Sequence, residues 1–114
     1  LRKEMESYMK YLDAWDKKIA MWGASHQGFT LAATTKLGDK AQYIIDSAPF
    51  KHGKFAPSSH LPIVPPEYFL DHPVDAIIIT APGYTEEIAA SIRERFGKDV
   101  EVRAMRFNHL ELVG

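Results

Sequence analysis

The chain has 114 residues, of which 46% are hydrophobic and 25% charged, and its formal net charge is −1. That size predicts one globular domain with a modest core, and the balanced charge gives no indication of nucleic acid or a membrane surface as a partner. The absence of cysteine excludes disulfides, thiolate zinc sites and cysteine nucleophiles within this chain. No signal peptide or apolar run of membrane length is present, so a cytoplasmic location is the default expectation.

An amphipathic helix is predicted over residues 1–17. Its apolar stripe comprises Leu1, Met5, Tyr8, Met9, Leu12 and Trp15. The helix has no strong start signal, and the chain does not begin with Met. We therefore expect an excised piece of a longer protein, in which 1–17 is a linker helix packing on a Rossmann-like domain over 18–114.

A glycine-flanked turn follows the first predicted strand, which covers 18–22. The turn is Gly23–Gly28, and a helix is predicted from about 27 to 36, ending at Leu37-Gly38. The order strand, glycine turn, helix is typical of nucleotide-binding units, where helix N–H groups and the helix dipole bind phosphate. The match to G-x-G-x-x-G is incomplete because Ser25 replaces the second glycine. A purely structural role for the glycines, in a tight turn and in close helix–sheet packing, explains this pattern at least as well as ligand binding does.

The second predicted strand, 41–46, ends in an acidic residue, Asp46. An acid some 20 residues after the glycine turn accepts hydrogen bonds from a ribose diol in dinucleotide-binding units. Asp46 equally suits the cap of a turn over 46–49. Both interpretations stay open.

A proline-rich loop covers residues 47–66 and is the most basic part of the chain. Lys51 and Lys54 are its cations, and a short edge strand is possible at 61–64. His52 and His60 do not make a convincing metal pair, because no third ligand is evident.

The clearest predicted strand is 74–80, a continuous apolar run that suits a parallel strand covered on both faces. It is followed by a turn at 81–84 and a helix that ends at Gly97. The alternating segment 100–107 predicts an edge strand, and 108–114 a tail.

This alternation of strands and helices predicts an α/β, three-layer Rossmann-like domain with a mostly parallel sheet and the first strand interior. Ligands in such folds bind outside the carboxyl ends of the strands, where the strand order reverses. His26 is a candidate for acid–base catalysis because imidazole titrates near neutral pH. A polar residue at the start of a helix is the more common explanation, so we assign no catalytic residue. The candidate substrate-binding residues are Gly23, Ser25, His26, Gly28, Asp46, Lys51, Lys54 and Tyr84.

Several segments together resemble the C-terminal domain of sugar-nucleotide C-methyltransferases. The most specific is Asp46-x-x-Pro49-x-Lys51-x-Gly53-Lys54-x-x-Pro57, followed by Leu61-Pro62-Ile63. The others are the run 18–28, Pro66-Glu67, the run 75–80 and Glu86-Glu87-Ile88. The resemblance covers about 18–96 and departs at Ser58-Ser59 and Ala81-Pro82-Gly83.

The resemblance implies a parent protein with an N-terminal zinc-binding part, a central S-adenosylmethionine domain and this Rossmann-like domain last. It implies deprotonation next to the ketone of a nucleotide-linked keto-sugar and attack of the enolate on the methyl group of S-adenosylmethionine. Catalysis would lie in the central domain, so this chain alone is expected to be inactive and to hold neither zinc nor S-adenosylmethionine. Its implied role is to form one side of the substrate cleft and to contact the nucleotide sugar.

Two other classes of function remain open. One is an NAD(P)-binding domain of a dehydrogenase or epimerase, which Gly23, Gly28 and Asp46 favour and Ser25 opposes. The other is a non-catalytic docking domain, which the amphipathic helix at 1–17 favours.

Overall fold

The computed structural model of the chain describes residues 2–81, 83–106 and 109–113. It contains a six-stranded sheet with helices on both faces. The helices are α1 (Arg2–Ala14), α2 (His26–Thr34), α3 (Leu37–Lys40), α4 (Tyr68–Asp71) and α5 (Thr85–Phe96), with a 3₁₀ turn at Pro49–Lys51. The strands are β1 (Ile19–Trp22), β2 (Ala41–Ile45), β3 (Ile63–Val64), β4 (Ala76–Ile79), β5 (Glu101–Arg106) and β6 (His109–Leu112).

The strand order is β3-β2-β1-β4-β5-β6, and the first five strands are parallel. β1 lies between β2 and β4, with Ile19 opposite Ala41 on one side and Ala76 on the other. Every residue of β1 and β4 is buried, as expected for parallel strands covered on both faces. The predicted Rossmann-like α/β fold is confirmed, and the strand order reverses between β1 and β4.

The sheet separates two hydrophobic cores. On one face, α1, α2 and α3 cover β1, β2 and β4, and α1 contributes Met5, Tyr8, Met9 and Leu12. On the other face, α4 and α5 pack against the alternate side chains of the same strands. Trp15, which the sequence places on the same apolar stripe, does not join this core: the helix ends at Ala14, and Trp15 is 69% exposed.

The helix after the glycine turn is shorter than the sequence predicted. It ends at Thr34, and Thr35 follows as the capping residue, its N–H and its hydroxyl both donating to the Leu31 carbonyl. Gly38 does not terminate this helix but lies inside α3. A Cβ on Gly38 would lie 2.5 Å from the Ala32 carbonyl oxygen, so glycine here permits close packing of the two helices.

The other end of the sheet also differs from the prediction. β5 is not an edge strand, because β6 pairs with it antiparallel and becomes the edge. The predicted tail therefore contains a strand, in which Leu110 lies opposite Met105. β5 alternates because Glu101 and Arg103 point to the face that α1 covers, where the Tyr8 hydroxyl meets Glu101. The parts of these predictions that concern Leu1, Pro82, Phe107, Asn108 and Gly114 lie outside the described residues.

None of the helices in the described residues combines the length and the apolar character needed to cross a bilayer.

Candidate functional site

The glycine turn lies at the carboxyl end of β1, against the end of β4. Gly23 has φ +132°, and a Cβ there would lie 2.8 Å from Thr80 Oγ1. A Cβ on Gly28 would lie at the same distance from Thr80 Oγ1 and still closer to the Gly23 carbonyl oxygen. The Thr80 side chain is 1% exposed, and its hydroxyl is in hydrogen-bonding range of the Trp22 and Gly23 carbonyls. Both glycines are therefore required by close packing, which was one of the two interpretations of this motif.

The same turn presents unused hydrogen-bonding groups at the start of α2. Ser25 is the N-cap residue, with extended backbone and no side-chain capping bond. Its Oγ is buried and has no hydrogen-bond partner among the described residues. The first N–H groups of a helix have no acceptor within the helix, so those of His26, Gln27 and Gly28 carry the positive end of the helix dipole. The His26 side chain itself is exposed.

Asp46 follows β2 and is fully engaged within the chain. Its Oδ2 accepts a hydrogen bond from the Ala24 N–H at 2.9 Å, and its Oδ1 accepts one from the Ala48 N–H at 2.8 Å. The Lys51 Nζ lies 3.6 Å from Oδ2. The bond to Ala48 is the turn cap that the sequence allowed, and the bond to Ala24 attaches β2 to the glycine turn.

Lys51 completes this arrangement, which we call the Asp46 cluster (Asp46, Ala24, Ala48 and Lys51). Its Nζ donates to the Ala24 carbonyl at 2.8 Å, so the proline-rich loop is attached to the same residue of the glycine turn that bonds to Asp46. Pro49 begins the 3₁₀ turn that brings Lys51 back towards Asp46. The spacing Asp-x-x-Pro-x-Lys is thus explained by local geometry that holds the loop against the turn.

The remaining candidates are less closely associated. Tyr84 is 65% exposed and directly precedes α5, and its N–H donates to Ala81, which lies against Gly23. Lys54 is exposed, and its carbonyl accepts from the Ile63 N–H. Within the described part of the chain, no hydrogen bond or ion pair joins the Lys54 side chain to the turn. The structure thus brings seven of the eight candidates to one edge of the sheet and leaves Lys54 apart.

Sequence reasoning missed two residues of this region. Thr80 fills the space between the two glycines; its signal was a polar residue at the end of an apolar strand. Phe50 is 72% exposed, and its ring centroid lies 5.7 Å from Lys51 Nζ. Its signal was an aromatic residue in a basic loop, which by itself indicates nothing specific.

A second polar cluster lies at the other end of the sheet, beneath α1. The Tyr8 hydroxyl donates to Glu101 at 2.6 Å, and Arg103 Nε donates to the same oxygen at 3.0 Å. Burial and the bond to Glu101 raise the pKa of Tyr8. Burial alone would raise the pKa of Glu101, but the hydrogen bonds from Tyr8 and Arg103 outweigh it and lower that pKa. Since Glu101 lies at the start of β5, this cluster is remote from the carboxyl edge and holds α1 on the sheet.

No three His, Asp or Glu side chains among the described residues come together as metal ligands.

Comparison with known proteins shows the family to which the matched residues belong. Residues 1–102 match the family described as the C-methyltransferase C-terminal domain. The C-methyltransferase NovU of Streptomyces niveus is 30% identical over 95 residues, which are 82% of this chain and 23% of that protein. The chain therefore spans about a quarter of the length of that relative.

The fold also occurs outside this family. UDP-D-quinovosamine 4-dehydrogenase from Vibrio fischeri superposes with a TM-score of 0.63 and 19% identity, covering 86% of this chain and 93% of that one. At this identity the similarity shows a shared Rossmann-type fold and nothing about the reaction.

Proposed function

Since the chain belongs to the family of C-methyltransferase C-terminal domains, we propose that it forms the substrate-cleft domain of an S-adenosylmethionine-dependent sugar-nucleotide C-methyltransferase. In that reaction a base takes the proton from the carbon next to the ketone of a nucleotide-linked keto-sugar. The resulting enolate forms a carbon–carbon bond as the methyl–sulfur bond breaks. S-adenosylmethionine, held by another domain, would supply the methyl group.

One observation carries the cleft role: the Ser25 Oγ at the start of α2 has no hydrogen-bond partner within residues 2–81, 83–106 and 109–113. It lies beside helix N–H groups that have no acceptor within the helix, and it can donate to a phosphate oxygen. Each favourable interaction of an anion with such a helix end is worth about 0.3–1 kcal/mol. We infer that the turn Gly23–Gly28 contacts the diphosphate of the nucleotide sugar.

The composition of the chain supports placing the rest of the machinery elsewhere. The chain has no cysteine, and it has a single glycine turn of the nucleotide-binding type, which leaves no second loop for S-adenosylmethionine. His26 is exposed, and no hydrogen bond within the described residues orients its ring as a catalytic base would require. The proposal therefore assigns zinc, S-adenosylmethionine and the base to other parts of the full-length protein.

Asp46 weighs against the dehydrogenase alternative. A dinucleotide-binding domain uses the acid after the second strand to accept hydrogen bonds from the ribose diol. Both oxygens of Asp46 already accept from backbone N–H groups, and its side chain is only 16% exposed.

The test is Ser25→Asp in the full-length protein that carries this chain. A negative charge at the proposed diphosphate site should raise the KM for the nucleotide sugar about tenfold and leave the affinity for S-adenosylmethionine unchanged. Asp is a favoured N-cap residue, so the variant should fold. Steady-state kinetics and calorimetry measure the two effects, and circular dichroism checks the fold.

The matched control is Thr30→Asp, which puts the same charge on an exposed position of the same helix, beyond its first turn. It should leave the KM for the sugar unchanged. If folded Ser25→Asp has an unchanged KM for the sugar, the turn does not contact the substrate, and the docking-domain alternative is favoured. Micromolar binding of NAD to the wild-type protein would instead favour the dehydrogenase class.

A further inference from the structure

We propose that Phe50 stacks on the nucleobase of the nucleotide-linked substrate, a role that rests on the proposed function and deepens it. Phe50 is the most exposed large hydrophobic residue of the described chain, at 72%. A large apolar side chain in contact with water is stabilised when a ligand or a partner covers it. Exposure alone is ordinary, since single apolar residues are common on surfaces, so the inference depends on where Phe50 is held.

Phe50 is held next to the proposed diphosphate site. It is the middle residue of the 3₁₀ turn Pro49–Lys51, and the next residue, Lys51, bonds to the Ala24 carbonyl of the glycine turn. The Ala48 N–H, on the other side of the 3₁₀ turn, bonds to Asp46. Phe50 therefore stands on a short segment fixed at both ends to the Asp46 cluster, at the carboxyl edge of the sheet where ligands of this fold bind.

The ring has one occupied face and one open face. The Lys51 ammonium lies 5.7 Å from the ring centroid on one face, within the range of a cation–π contact. With 72% of the residue exposed, the opposite face is open. A nucleoside diphosphate has an aromatic base separated from its anionic group by a ribose, which suits an open aromatic face near an anion site.

Stacking on an aromatic side chain is tolerant of base identity, because every base has a π face. Phe50 therefore distinguishes a substrate that carries a base from one that does not, but it does not select among the bases. It adds a contact that a bare sugar phosphate or pyrophosphate would lack.

The experiment is calorimetry of the full-length protein with uridine, thymidine, adenosine and guanosine diphosphates and with inorganic pyrophosphate. Phe50→Ala should weaken binding of the tightest nucleoside diphosphate about fivefold or more, the lower end of what removal of a stacking ring produces. Its affinity for pyrophosphate should stay within about twofold of the wild type. Phe50→Trp, which keeps a flat ring, should retain nucleoside diphosphate binding.

Phe55→Ala is the matched control, because Phe55 is in the same loop and 66% exposed, but its backbone pairs with Pro62. It should bind every probe as the wild type does. Equal loss of nucleoside diphosphate and pyrophosphate binding in Phe50→Ala would mean that Phe50 only shapes the turn, which overturns the stacking role.

Two further results separate this inference from the proposed function. If Phe50→Ala binds nucleoside diphosphates normally while Ser25→Asp does not, stacking is wrong and the cleft role stands. If the wild-type protein binds no nucleoside diphosphate, both are wrong.

Discussion

At the scale of single residues, the glycine turn is shaped by close packing, and the same turn is the ligand contact that we propose. Gly23 and Gly28 leave room for Thr80, whose hydroxyl lies between the turn and the end of β4. The close contact fixes the path of the chain into α2. The N–H groups at the start of that helix are thereby held in place before any ligand arrives.

Gly28→Ala should destabilise the protein by about 1–3 kcal/mol, the usual cost of overpacking, because its Cβ meets the Gly23 carbonyl and Thr80 Oγ1. Denaturant unfolding followed by circular dichroism measures the change in the free energy of unfolding. Combining it with Thr80→Ala should not restore stability, since the contact with the Gly23 carbonyl remains. If Gly28→Ala is as stable as the wild type, the turn can accommodate a Cβ, and the close packing around Gly28 is wrong.

The control is Gly53→Ala. Gly53 has φ +81°, but a Cβ added there would meet no other atom within 4 Å. The substitution should cost only the backbone strain, about 1–2 kcal/mol. Gly53→Ala therefore measures the cost of backbone strain alone. Comparison with Gly28→Ala separates that cost from the cost of steric crowding.

Asp46 shows what the sequence can predict about individual residues. Its bond to Ala48 is a contact two residues along the chain, which turn chemistry predicts. The bonds that join Ala24 to Asp46 and Lys51 span 22 and 27 residues. They depend on how β1 and β2 pair, so no local pattern predicts them. Its suggested contact with a ribose stays a prediction, although both oxygens are already engaged.

At the scale of elements, hydrophobic periodicity predicts the buried strands, such as β1 and β4. It does not predict β6, which lies at the edge of the sheet. The apolar runs of β1 and β4 are specified by burial on both faces. β6 has only four residues and lies at an edge, so its sequence has no long pattern to distinguish it from a tail. Because the sequence does not predict β6, the alternating pattern of β5 indicates an edge strand.

The bond from Tyr8 to Glu101 adds to the packing that holds α1 on the sheet. Tyr8→Phe should lower the free energy of unfolding at pH 7 by about 1.5–3 kcal/mol, because it removes a hydrogen bond to a charged group. Tyr11→Phe is the matched control, since Tyr11 lies on the same helix and is 40% exposed. It should have almost no effect.

The same bond predicts a dependence on pH. The pKa of Glu101 is lowered in the folded protein, so its contribution to stability is fully present above its usual value and is lost as pH falls through the lowered pKa. The difference between wild type and Tyr8→Phe should therefore be constant near neutral pH and shrink in acid. Urea unfolding over a pH series measures it, and a difference that grows in acid would contradict the assignment.

At the scale of the whole molecule, the question is whether α1 belongs to the domain or only leads into it. Met5 and Leu12 are at most 1% exposed and lie in one cluster with Ile19, Ile44 and Ile78 of the sheet. On the opposite face, α5 performs the equivalent task with Ile92. In the described chain α1 is therefore part of a core, whereas its function as a linker in a longer protein stays a prediction.

Leu12→Ala tests this directly. If α1 unfolds together with the sheet, the substitution should cost about 2–5 kcal/mol, the range for removing a fully buried leucine side chain. Trp15→Ala, three residues later and 69% exposed, should stay within about 0.5 kcal/mol of the wild type. Chemical unfolding should show one transition in both variants when followed by backbone circular dichroism and by tryptophan fluorescence, which in Trp15→Ala comes from buried Trp22 alone. A cost below about 1 kcal/mol for Leu12→Ala, or a separate early transition, would mean that the sheet is stable without α1 and that the domain begins at β1.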